Sequence, residues 1–111
     1  MQIEELMERV HKTAVEKGWW DADKPRHVLA DICLIHAEAS EACESWRIHG
    51  MDKMLYTDEH GKIQGLASEM ADILIRVLDF CKARNVPIIE ALEVKSDYNT
   101  RREFRHGNKL A

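Results

Sequence analysis

A chain of 111 residues with sixteen basic and twenty acidic side chains has room for one domain, spanning 1–111, and carries a net charge of −4. With 45% hydrophobic and 32% charged residues it is neither disordered nor fibrous. Its acidic balance argues against binding a nucleic-acid polymer or an anionic membrane, which call for a basic excess. Three cysteines, Cys33, Cys43 and Cys81, form no Cys-x-x-Cys pair and fall inside apolar helical patterns, where a free thiol acts as a small core residue. The N-terminal stretch is acidic, and no apolar run approaches the roughly 20 residues of a membrane span. The expectation is a soluble protein of a reducing compartment, the cytoplasm.

The elements follow from periodicity and punctuation. Ile3, Leu6, Met7, Val10 and Ala14 recur at helical spacing over about 2–17 and stop at Gly18. A Trp19-Trp20-Asp21 connector and Asp23-Lys24-Pro25 break the chain. Val28, Ile32, Ile35, Ala39, Ala42 and Trp46 then mark a long amphipathic helix over about 26–48, stopped by Gly50. Residues 51–64 show no periodicity and read as a loop of a length that is often functional. Leu66, Met70, Ile73, Val77 and Phe80 line one seam of a third helix over about 65–84. Leu74, Ile75 and Leu78 make that helix apolar around much of its circumference, as befits a central helix with a second copy of the chain against it. Pro87 opens a fourth helix running to about 102, and 104–111 is an irregular tail. No strand-like alternation occurs. The fold class is all-α, a four-helix bundle completed by homo-oligomerisation.

The chemistry lies between the second and third helices, within 35–80. Glu38 and Glu41, and likewise Glu69 and Asp72, are carboxylate pairs at i and i+3, so each pair projects from one helix face. Their flanks are apolar and small: Ala37, Ala39, Ala42, Ala71. Four like charges on packed inner faces repel, and a desolvated carboxylate without a partner costs several kcal/mol. Arginine or lysine neutralisation or exposure to water would relieve this; so would an oxygen-ligated divalent cation, Mg²⁺ above all.

Glu38-x-x-Glu41, 27 intervening residues and Glu69-x-x-Asp72 resemble the split metal motif of the MazG-like all-α nucleotide pyrophosphohydrolases. The likeness extends over about 27–109, through His36-Ala-Glu-Ala-Ser-Glu-Ala, Gly61-Lys-Ile-Gln-Gly65, Lys95-x-x-Tyr98-Asn99-x-x-Arg102 and His106-Gly-Asn-Lys109. It departs at Ile63 and Gln64, where relatives often carry Pro-Glu, and at Asn108, where they carry glycine. The resemblance implies a helical homo-oligomer, dimer or tetramer, that uses Mg²⁺, with Mn²⁺ able to substitute. Such enzymes hydrolyse ribo- or deoxyribonucleoside triphosphates to the monophosphate and pyrophosphate, sanitising or trimming the nucleotide pool. It makes Glu38, Glu41, Glu69 and Asp72 the metal ligands, and Lys95, Asn99 and Arg102 the residues holding phosphate or sugar. Glu41 is the expected base toward water.

Other residues admit two readings. Trp46 either closes the apolar seam of the second helix or stacks on a nucleobase. Trp19 and Trp20 either plug the bundle end or line the base pocket. Arg76 pairs with Asp72 or Asp79, while Lys53 and Lys62 solubilise the loop or close over phosphates. Glu4, Glu5, Glu8 and Glu44 read as solvated, and His106 as part of a tail or subunit contact. Glu8-x-x-His11 and Glu103-x-x-His106 suggest the ligand set of a di-iron carboxylate bundle, a rival the fourth helix does not favour. A non-catalytic helical interaction module is the remaining alternative.

Overall fold

A computed structural model describes residues 1–111, and helix dominates it. Helix α1, Ile3–Glu16, begins with Glu4 and Glu5 against its positive end. It stops where Gly18 takes φ +87°. Helix α2, Val28–His49, starts behind a capping side chain, since His27 accepts the Leu29 N–H at 3.1 Å. Gly50, at φ +61°, ends it. Helix α3, Leu66–Ala83, packs against both α1 and α2 and is the central element. Helix α4, Ile88–Thr100, follows Pro87, which sits at the cap position. No helix is long and apolar enough to cross a membrane.

The aperiodic segment before α3 contains structure that its sequence hides. Strands β1, Tyr56–Thr57, and β2, Ile63–Gln64, pair antiparallel with Tyr56 opposite Gln64. Two residues per strand are too few for alternation to register. The turn is organised by Asp58, whose carboxylate accepts the N–H groups of His60 and Lys62, both at 2.9 Å, and the Gln64 side-chain amide at 3.0 Å. These bonds, the Gln64 amide first, hold the Asp58 carboxyl below its ordinary range. Gly65 then fixes how the hairpin meets α3. Its φ is +111°, and a Cβ there would lie 2.3 Å from the Met54 carbonyl oxygen. The same oxygen accepts the Ala67 N–H at 2.8 Å.

One end of the three-helix body is closed by a polar lock. Trp20 Nε1 donates to both Asp79 oxygens, at 2.9 and 3.0 Å, and His11 Nδ1 lies 2.8 Å from Oδ1. The Arg26 and Arg84 guanidinium groups lie over the Trp20 ring at 4.9 and 5.7 Å and both pair with Asp31, which is 5% exposed. Trp20 therefore plugs the bundle end.

The apolar interior is small for the chain. Only Ala42, Leu78 and Cys81 are buried apolar residues, while Leu29, Ile32, Trp46, Met70, Leu74 and Tyr98 are exposed. Burial raises the Cys81 thiol pKa. Cys33 and Cys43, expected in the core, are exposed, because the apolar pattern of α2 is wider than the face that meets α3. Every residue of α4 from Glu90 onward is exposed. The fourth helix thus stands outside the packing of α1, α2 and α3, and the radius of gyration is 16.7 Å, against about 13 Å for a compact domain of this length. Beyond it, Arg105, His106, Gly107 and Asn108 all have positive φ and form one left-handed turn.

Candidate functional site

Because α2 and α3 pack side by side, with the small Ala42 buried, their i, i+3 carboxylate pairs meet. Glu38 is 9% exposed, Glu69 and Asp72 are half-buried and Glu41 is exposed. One carboxylate oxygen each from Glu38, Glu41 and Glu69 falls within a 4.8 Å spread. Asp72 is outside that trio yet next to Glu38, which raises its pKa after burial has done so; Arg76 and Lys62 act in the opposite sense. Glu69 is raised by burial first, then by Glu41, Asp72 and Glu38.

Arg76 does not pair with an acid of its own helix, as its spacing suggested. It crosses to α2, where Nε donates to Glu38 Oε1 at 2.7 Å. The interhelical partner wins because Glu38 is the more buried carboxylate and lies directly opposite. The other Glu38 oxygen, Oε2, and Glu69 Oε2 are buried without a hydrogen-bond partner. Two orphaned carboxylate oxygens on residues whose carboxylates converge suit a hard cation, which takes oxygen ligands. The 4.8 Å spread slightly exceeds the roughly 4.2 Å across an octahedral Mg²⁺ site, so small side-chain shifts would close it.

Two clefts flank the carboxylates, each of about 230 Å³. The first opens toward α1 and is lined by Lys17, Trp19, Glu38, Asp72, Ile75 and Arg76, among others. The second opens toward the hairpin and is lined by Glu41, Ser45, His49, Tyr56, Gln64 and Glu69, among others. Trp19 thus faces the carboxylates, while Trp20 does not. His49 and Tyr56 were not singled out by sequence reasoning. Glu41, Ser45 and His49 step by four along α2, which is a legible signal; Tyr56 is brought in by the hairpin, which is not.

The remaining predicted residues lie elsewhere. Lys62 is exposed on the hairpin, with its charge acting on Asp72. Lys95 and Arg102 lie over the Tyr98 ring at 5.4 and 5.6 Å, and Asn99 is exposed beside them on α4. None of the three lines either cleft, nor does Trp46, which is 55% exposed. Of the di-iron candidates, Glu8 pairs with Lys82 and His11 with Asp79, and neither Glu8 nor His11 belongs to the carboxylate trio. Comparison of the chain with known protein families, curated proteins and solved structures finds no match.

Proposed function

We propose that this chain is a divalent-cation-dependent nucleoside triphosphate pyrophosphohydrolase. The reading is carried by the convergence of Glu38, Glu41 and Glu69, two of them with buried, unpartnered oxygens, between two clefts. Mg²⁺ held by these residues and Asp72 would neutralise phosphate charge and acidify a water. Glu41, the exposed member, is the residue free to accept the proton of the attacking water. Lys62 and Arg76 place positive charge beside Asp72 and Glu38, where charge develops on the phosphates. Trp19 offers a ring, 57% exposed, on which the nucleobase stacks in the α1-side cleft.

Either cleft is small beside the roughly 300–1,000 Å³ of ordinary ligand sites. The helix carrying Lys95 and Asn99 is exposed from Glu90 to its end, with Leu92, Val94 and Tyr98 uncovered. Our reading is that a second copy covers this surface, and that Lys95, Asn99 and Arg102 of one chain reach the phosphates held by the carboxylates of another. The specific alternative favoured by an uncovered α4 is a non-catalytic interaction module.

The test is product identification. Ribo- and deoxyribonucleoside triphosphates are incubated with the protein in Mg²⁺ or in EDTA, and products are separated by anion exchange. Monophosphate and pyrophosphate, formed only with Mg²⁺, are expected. Diphosphate with free phosphate would mean another bond is cut. No turnover of any nucleotide would leave the interaction module.

A further inference from the structure

Arg76 is the cation closest to the carboxylate cluster, and it serves two surfaces at once. Its Nε holds Glu38 Oε1 at 2.7 Å, while its side chain, one third exposed, lines the α1-side cleft with Lys17 and Trp19. It satisfies one oxygen of a carboxylate that is nine-tenths buried and leaves Oε2 without a partner. A buried carboxylate needs a counter-charge, and the guanidinium supplies it at Glu38. The same guanidinium opposes any second cation at Glu38, by taking a ligand oxygen and by like-charge repulsion.

Resting on the hydrolase reading, we propose that Arg76 is an internal counter-ion that competes with the divalent cation for Glu38 and passes to a substrate phosphate oxygen when the cation binds. Free cation is then held weakly. Cation and polyphosphate together are held more tightly, because the displaced guanidinium gains a new anionic partner in the cleft it already lines. Guanidinium suits this exchange, since its planar fork matches carboxylate and phosphate alike. The coupling is reciprocal: substrate raises cation affinity by the factor that cation raises substrate affinity.

The test separates the two affinities. Mn²⁺ binding to the homogeneous full chain is followed by the electron paramagnetic resonance signal of free Mn²⁺. Nucleotide binding is followed by tryptophan fluorescence at saturating Mn²⁺, with α,β-methylene analogues of the four deoxynucleoside triphosphates. Arg76→Met is expected to tighten Mn²⁺ about tenfold and to weaken the analogue about tenfold. Arg76→Gln, closer in polarity, should do the same and decides the matter if the Met variant does not fold. Arg76→Lys keeps the charge and should stay within about threefold of wild type in both. A merely structural arginine would weaken both affinities in every variant, and that result overturns the proposal. Unchanged Mn²⁺ affinity in the folded neutral variants also overturns it, leaving the hydrolase reading intact. Absence of Mn²⁺ binding by wild type and variants alike overturns both.

Discussion

Glu69→Gln is the perturbation that most directly weighs the carboxylate cluster, because it removes one charge while keeping nearly the same shape. Two unit charges 4.8 Å apart repel by about 1 kcal/mol in a water-like medium and by about 3.5 kcal/mol at an effective dielectric of about 20. The exposure of Glu41 places the real value toward the lower figure, and Arg76 already offsets Glu38. Glu69→Gln should therefore stabilise the protein by about 1 kcal/mol at pH 7 in EDTA, a shift of about 0.5–1 M in the urea midpoint. The sign with pH follows from the raised pKa of Glu69. Below its unfolded pKa of about 4.3, Glu69 is protonated in both states and carries no penalty. As pH rises through the folded value, ionisation destabilises the fold, so the gain from Gln should vanish near pH 4 and grow as pH rises. Mg²⁺ should reverse the order. At about 100 times its dissociation constant it adds about 2.7 kcal/mol to wild type, and it should add less to the variant, which lacks a ligand. Urea titrations at both pH values, with EDTA or Mg²⁺, give all four numbers. A variant less stable than wild type in EDTA at pH 7 would refute the repulsion argument. So would an equal gain at pH 4, which would point to packing.

Gly65→Ala should cost about 2 kcal/mol or more, since it meets both a φ of +111° and the Met54 carbonyl. Loss of nucleotide hydrolysis with all four acids intact, and a lowered melting temperature by circular dichroism, would show that the hairpin positions the second cleft. Glu41→Gln and Lys95→Ala should each abolish hydrolysis alone. Mixed in equal amounts after unfolding and refolding, they should recover about a quarter of wild-type rate if two copies share sites, since half the dimers then hold one intact site of two. No recovery would place Lys95 in the site of its own chain, and an active Lys95→Ala variant would place it outside any site.

The convergence of Glu38, Glu41 and Glu69 was legible because its signal is local. Glu38-x-x-Glu41 and Glu69-x-x-Asp72 each need only helical spacing to share a face, and apolar flanks to mark that face as inward. The two packed helices then bring Glu38, Glu41 and Glu69 together. What failed was everything decided across elements. Spacing offered Arg76 two acids on its own helix, yet the guanidinium crosses to Glu38, because burial, which spacing does not report, sets which carboxylate most needs a counter-charge. The hairpin rests on Asp58 accepting three hydrogen bonds and on a glycine against a carbonyl, neither of which has a period. Cys33 and Cys43 lie in an apolar pattern that a single chain does not fully bury.

The features left unsatisfied in the chain are of two kinds, and no single ligand satisfies both. Glu38 and Glu69 have oxygens that want positive charge. The exposed Leu74, Met70, Leu92 and Tyr98 want apolar surface, and three buried apolar residues are few for 111. A cation stabilises by mass action on its own concentration, whereas association of copies stabilises by mass action on the protein's. The melting temperature in EDTA should therefore rise with protein concentration from about 1 to about 100 µM. Mg²⁺ should add an increment at every concentration. A melting temperature independent of protein concentration, together with a monomer mass by sedimentation across that range, would mean that α4 stays uncovered. The phosphate-binding role of Lys95, Asn99 and Arg102 would then have no structural support, because none of them lines a cleft beside the carboxylates of its own chain.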